Sequence, residues 1–258
     1  MRALSVITIL AAFALPSGYA SASPPINISA EELHMLRTWA AQGNALAQNN
    51  LGLLYDLGNG VSQDYAVARQ WYEQAAAQNH AAAQFNLGLL YANGHGVSQD
   101  YGIAREWYEK AAAQGRANAS YLLGEMYAHG QGVPQDFAKA RQWYEKAAAQ
   151  GDVSAQTTLG GLYETGMGVP QDYVQARQWW EKAAVQGEVS AQVNLGHLYF
   201  AGNGVPQDYV QAHKWFNLAA ANGNKPGAVL RNYLAKKMTP AQIAEAQKLA
   251  REWNPIKK

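Results

Sequence analysis

Residues 87–114 read L-G-L-L-Y-A-N-G-H-G-V-S-Q-D-Y-G-I-A-R-E-W-Y-E-K-A-A-A-Q, and nearly the same string occurs four more times. The Leu-Gly pair falls at Leu51-Gly52, Leu87-Gly88, Leu123-Gly124, Leu159-Gly160 and Leu195-Gly196, and tryptophans fall at Trp71, Trp107, Trp143, Trp179 and Trp215. Both sets advance by 36 residues with no insertion. Self-similarity at this period marks a repeat architecture, in which each unit buries its apolar face on its neighbours. The five units are 44–79, 80–115, 116–151, 152–187 and 188–223.

Each unit reads as two helices. In the first, helix A starts near Ala45, and Ala47, Leu51, Leu54 and Tyr55 make one apolar stripe at helical spacing. Gly58 and Gly60 end it, and the glycine pair recurs in every copy, as a chain that needs positive φ demands. Asp64, with Asp100, Asp136, Asp172 and Asp208, is placed to cap helix B. Ala68, Trp71, Tyr72 and Ala75 are its packing face. Helix B ends at Gly115, Gly151, Gly187 and Gly223, and once at Asn79, the residue that best replaces glycine in a left-handed conformation. Arg69/Glu73, Arg105/Glu109, Arg141/Glu145 and Arg177/Glu181 are spaced for exposed i,i+4 ion pairs.

The flanks differ. Residues 1–22 combine Arg2, an apolar run over 3–15 and the small-residue site Ala20-Ser21-Ala22, which predicts a secretory leader cleaved before Ser23 and a periplasmic or secreted product. Residues 23–28 are a linker. Ser29 and Glu32 form a capping box with Ile28 and Leu33 as its staple, so residues 29–43 supply an N-terminal capping helix. Beyond the fifth unit, Arg231-Asn232 stands where Leu-Gly is due, and the repeat series ends. Residues 224–258 then form capping helices and a basic tail, with Thr239, Pro240 and Gln242 starting the last helix and Ile243, Ala246, Ala250 and Trp253 on one side of it.

Charge and composition exclude several classes. Once Arg2 leaves with the leader, 19 basic residues face 19 acidic ones, a balance that argues against a nucleic-acid partner. The basic C-terminal end reads as a solvated cap, and secondarily as a surface for weak contact with an anionic polymer or lipid. The chain has no cysteine, which excludes disulfides, cysteine-based zinc sites and thiol chemistry. No later segment is apolar enough to be a transmembrane span. The catalytic motifs are missing: no Ser-x-x-Lys, no G-x-S-x-G, no H-E-x-x-H and no phosphate loop. The six histidines are scattered. We therefore expect no catalytic residues, no metal and no cofactor.

One comparison points to a surface. Taking Ala47 as zero at about 100° per residue, Leu46, Asn49, Leu53 and Asp56 fall at about 180–260°, opposite the core stripe. These positions change from copy to copy. They supply Leu46, Asn49 and Leu53, then Phe85 and Leu89, then Asn118, Tyr121 and Glu125, then Glu164, then Val193, His197 and Phe200. Apolar anchors mixed with polar groups are what a peptide-binding groove needs. Burial of the same side chains between neighbouring A helices is the other reading.

The unit A-x-x-x-L-G-x-x-Y-x-x-G-x-G-V-x-Q-D-[YF]-x-x-A-x-x-W-[YWF]-x-x-A-A-x-Q-G resembles the Sel-like repeat, a relative of the tetratricopeptide repeat. The resemblance implies an all-α fold, an α/α solenoid wound as a right-handed superhelix, with helix A lining the concave face. It also implies an adaptor that binds a protein or peptide partner, since family members mostly bring proteins together. A cysteine-rich subgroup is described as penicillin-binding or β-lactamase-like, which keeps a β-lactam-interacting hydrolase as one alternative. A structural envelope spacer is another.

Overall fold

The computed structural model describes residues 28–253, so the expected leader, its cleavage point, most of the linker, and Lys257 and Lys258 lie outside the described residues. Thirteen α-helices and no strand are found among the described residues, and the chain is an all-α repeat solenoid. It divides into two compact units, residues 1–135 and 136–258. The first holds α1 (Ala30–Ala41), α2 (Ala45–Leu57), α3 (Tyr65–Ala77), α4 (Ala81–Asn93), α5 (Tyr101–Ala113) and α6 (Ala117–His129). The second holds α7 (Phe137–Ala149), α8 (Val153–Thr165), α9 (Tyr173–Val185), α10 (Val189–Ala201), α11 (Tyr209–Ala221), α12 (Lys225–Ala235) and α13 (Pro240–Glu252).

Local signals set these boundaries. Ser29 and Thr239 each close a full capping box, with Glu32 and Gln242 as the reciprocal partners. The carboxylates of Asp64, Asp100, Asp136, Asp172 and Asp208 accept backbone N–H groups at the first turn of every B helix. Such caps contribute about 1 kcal/mol each. The A helices all end on a left-handed glycine, from Gly58 (φ 70°) to Gly202 (φ 75°). Asn79 adopts φ 61° where the later B helices are followed by glycine.

The glutamine of the V-x-Q-D turn has a job that spacing did not reveal. Gln63 Nε2 donates to the Asp56 carbonyl at 2.7 Å, and Gln99, Gln135, Gln171 and Gln207 repeat the bond to Ala92, Ala128, Glu164 and Phe200. Each bond ties the end of an A helix to the start of its B helix and satisfies a terminal carbonyl.

The Leu-Gly glycine is a contact surface. A Cβ on Gly52 would stand 2.7 Å from the ring of Tyr72, and Gly88, Gly160 and Gly196 are pressed as closely by Tyr108, Trp180 and Phe216. These rings, one residue past the repeating tryptophans, are fully buried. Most of the tryptophans are half-buried instead. Lys110, Lys146 and Lys182 lie over Trp107, Trp143 and Trp179 at 3.9–4.0 Å, and Trp215 is sealed by Trp253 at 4.8 Å.

A second polar feature holds successive helices together. Gln84 is buried, donating to Asn79 Oδ1 at 3.0 Å while Gln114 Nε2 donates to Gln84 Oε1 at 2.7 Å. Gln48 with Gln78, Gln156 with Gln186, and Gln192 with Asn222 repeat the clasp. Cutting Gln84 to alanine removes two bonds of the clasp and leaves only the bond that Gln114 Nε2 donates to Asn79 Oδ1. We expect a loss of about 1–3 kcal/mol in urea unfolding, against a few tenths for Glu73→Gln in an exposed ion pair. The four Arg/Glu pairs do form, with N–O distances of 2.9–3.6 Å.

The last helices replace a sixth unit. Met238 and Ile243 sit together on the cluster of Ala212, Phe216, Leu234 and Ala246. His213 stands where the other B helices carry arginine, and it is buried with no hydrogen-bond partner for Nδ1. Burial first, and Arg231 second, hold its pKa below the ordinary histidine value. The folded state therefore resists protonation, so this part of the stability is present above pH ~6.5 and is lost as pH falls below it. Between pH 7.5 and 5, the wild-type melting temperature is expected to fall relative to that of His213→Gln. The raised pKa values of Asp56 and Glu164 act with the opposite sign in both proteins and cancel in the difference.

Candidate functional site

In the first unit the expected face is partly withdrawn from solvent. Leu46 is 41% exposed and lines an open depression of about 470 Å³ with Trp39, Gln42, Gly43 and Asn44. Leu53, Leu89, Asn118, Tyr121 and Glu125 are half-buried. Glu125 stands 3.6 Å from His129 on the same helix.

Asn49 and Phe85 are corrections to the expected solvent-facing set, being only 5% and 4% exposed. Asn49 Nδ2 donates to Asn50, and Asn86 Nδ2 donates to Asn49, so the amides form a chain between α2 and α4. Phe85 lies between the ring of Tyr108 at 5.8 Å and the guanidinium of Arg116 at 5.6 Å. Burial holds the Arg116 pKa below its ordinary value, and burial together with Arg116 lowers that of His80. Burial between A helices therefore holds for Asn49, which Asn86 of the next A helix reaches, while Phe85 is covered by Tyr108 of its own B helix and by Arg116 at the cap of the next A helix.

In the second unit, Glu164, Val193 and Phe200 are half-buried and His197 is exposed. Burial raises the Glu164 pKa, and His197 opposes that shift. His197 meets Phe216 edge-on at 5.3 Å. Phe200 stacks on Tyr209 at 5.8 Å and meets Tyr233 at 6.4 Å. Val193 and Phe200 rest on the cluster that also holds Leu234 and Met238.

Two residues of this face were missed. Val229 and Tyr233 stand 36 residues beyond Val193 and His197 on α12, 67% and 49% exposed. The signal was available, because counting 36 onward from Val193 and His197 reaches both.

Among the described residues, no group of three histidine, cysteine, aspartate or glutamate side chains is placed to hold a metal ion. No described helix is long and apolar enough to cross a membrane. What the faces offer chemically is contact: apolar side chains beside amides, carboxylates and imidazoles.

The sequence model of the Sel1 repeat matches residues 45–80, 81–115, 117–152, 153–188 and 189–224. A solved Sel1 repeat protein from Oxalobacter formigenes is 36% identical over 86% of this chain and 93% of its own, with a TM-score of 0.73. A protective antigen present in uropathogenic Escherichia coli strains, displaying an SLR fold, is 34% identical with a TM-score of 0.54. That alignment covers 86% of this chain and 56% of the antigen. The immunity protein Pa5087 from Pseudomonas aeruginosa shares the fold at 20% identity and a TM-score of 0.52, over 88% of this chain and 84% of its own. A search of curated proteins found no match. Five matched repeats and a 36% identical relative of nearly equal length establish that the chain belongs to the Sel1 repeat family.

Proposed function

We propose that this chain is a non-enzymatic scaffold of the bacterial periplasm or secreted space that binds a protein segment through the faces of its A helices. Sel1 repeat proteins generally mediate protein–protein interaction and are typically without catalytic activity. The observation that carries the choice of face is its composition. Within a repeat whose packing letters barely change, the A-helix positions vary and leave Leu46, Val229 and Tyr233 exposed beside polar neighbours. Scattered exposed apolar groups are ordinary, but apolar groups returning on the same face of successive helices are a surface. Location rests on the leader-like residues 1–22.

The test is site-specific photocrosslinking in the bacterial envelope. Benzoylphenylalanine at position 46, 121 or 193 is expected to capture one and the same partner, and the same group at Gln70 or Gln142 on B helices is expected not to. Tyr121→Glu should weaken that capture in pull-down. Capture of this partner only from the B-helix positions overturns the reading. So does nitrocefin turnover by the purified protein that one point substitution abolishes.

A further inference from the structure

The helix α12 stands where helix A of a sixth repeat would, and it is divided into two faces. Gly227, Leu230 and Leu234 turn inward, with Leu230 and Leu234 on the C-terminal cluster. Pro226, Val229 and Tyr233, at i, i+3 and i+7, turn outward and are exposed. Helix α12 has therefore met its own packing demand, and the outward stripe is additional apolar surface.

That stripe is rigid at one end. Tyr233 leans on Phe200, which is stacked on Tyr209, so three rings from α10, α11 and α12 brace one another. Lys237 Nζ lies 5.1 Å from the centre of the Tyr233 ring, and Lys236 is exposed one residue away. No ion pair among the described residues involves Lys225, Lys236 or Lys237. From Lys225 to Glu252 the basic residues Lys225, Arg231, Lys236, Lys237, Lys248 and Arg251 face only Glu245 and Glu252. The acidic residue of the neighbouring A face, Glu164, is next to His197.

We propose that Phe200, Val229, Tyr233, Lys236 and Lys237 dock a protein segment in which an aromatic or leucine side chain is flanked by acidic residues. The proposal rests on the scaffold reading above and names the chemistry of its partner. An ordered ring with little rotamer freedom is a low-cost anchor for an apolar side chain. Two lysines without a carboxylate partner in the fold supply the complementary charge, favouring an acidic segment and repelling a basic one. An anionic membrane would meet the same lysines. It is the weaker fit, because α12 spends its main apolar face inside the protein and offers lipid only a narrow stripe.

A randomised twelve-residue display library, selected on the mature chain, tests this. We expect enriched peptides to carry net negative charge around a Phe, Trp, Tyr or Leu. Replacing their acidic residues with amides should weaken binding about tenfold in fluorescence anisotropy, and Tyr233→Ala about 10–30-fold. Lys236→Glu with Lys237→Glu should abolish it while leaving the circular dichroism and melting temperature unchanged. Enriched peptides that depend on Tyr233 but show no acidic bias overturn the proposal and leave the scaffold reading standing. Peptides indifferent to Tyr233 and both lysines, or no enrichment at all, overturn it too. Failure of the A-face crosslinks described above removes the scaffold reading as well. Sedimentation with phosphatidylglycerol vesicles that the two lysine substitutions abolish, without peptide binding, assigns the face to lipid and also sinks the proposal.

Discussion

Trp180→Ala is expected to remove about 3–5 kcal/mol of stability in urea unfolding of the mature chain. Trp180 is fully buried and heads the largest side chains of the core. Its ring lies against Gly160, and its Nε1 donates to the Thr157 carbonyl at 3.1 Å. Truncation opens a cavity between α8 and α9 and removes that bond together. A loss below ~1 kcal/mol would mean that the two helices close over the space, contrary to the close packing proposed here. A double-mutant cycle sharpens the test. Gly160→Ala alone drives a methyl into the ring and should destabilise by about 1–3 kcal/mol. Placed on Trp180→Ala, the same change has room, and alanine's better helix propensity should return about 1 kcal/mol.

The second large effect belongs to a turn. Gly168→Ala is expected to cost about 2–5 kcal/mol, combining left-handed strain with overpacking. Gly168 has φ +72°, and a Cβ there would meet the Phe137 backbone carbonyl carbon at 2.6 Å and its oxygen at 2.7 Å. Backbone cannot swing aside as a side chain can. The control is Gly187→Ala, at φ +88° with nothing within 4 Å of the added carbon. It should cost about 1 kcal/mol or less, since the strain is partly offset by a stiffer unfolded chain. Equal losses at the two sites would show that the second turn glycine does not join one repeat to the next.

Much of the fold was legible because the repeat states every rule five times. The capping boxes at Ser29 and Thr239, the aspartate caps, the left-handed glycines and Asn79 all depend on near neighbours in the chain, so spacing alone reveals them. The face was less legible. An angular projection assumes one core side per helix, whereas Phe85 on α4 is also covered by Tyr108 and Arg116, and Asn49 on α2 is reached by Asn86 of α4. The clasp at Gln84 escaped notice because its partner Gln114 lies 30 residues away. Val229 and Tyr233 were lost because Arg231-Asn232 ended the Leu-Gly series, although the register of the opposite face continued.

The sameness of the turn contacts has a genetic consequence. Gly96 rests on Tyr65 and Gly132 rests on Tyr101, the same pair of residue types one repeat apart. A recombination that excised residues 80–115 would set Gly132 against Tyr65 and rebuild a junction of the same letters. Gain or loss of a repeat by unequal crossing-over is therefore nearly silent for folding. It deletes Phe85 and Leu89 or duplicates them, and so reorders the variable side chains along the scaffold in a single event. Whole-repeat recombination can thus supply new arrangements of the variable letters in single steps, with the packing letters left untouched.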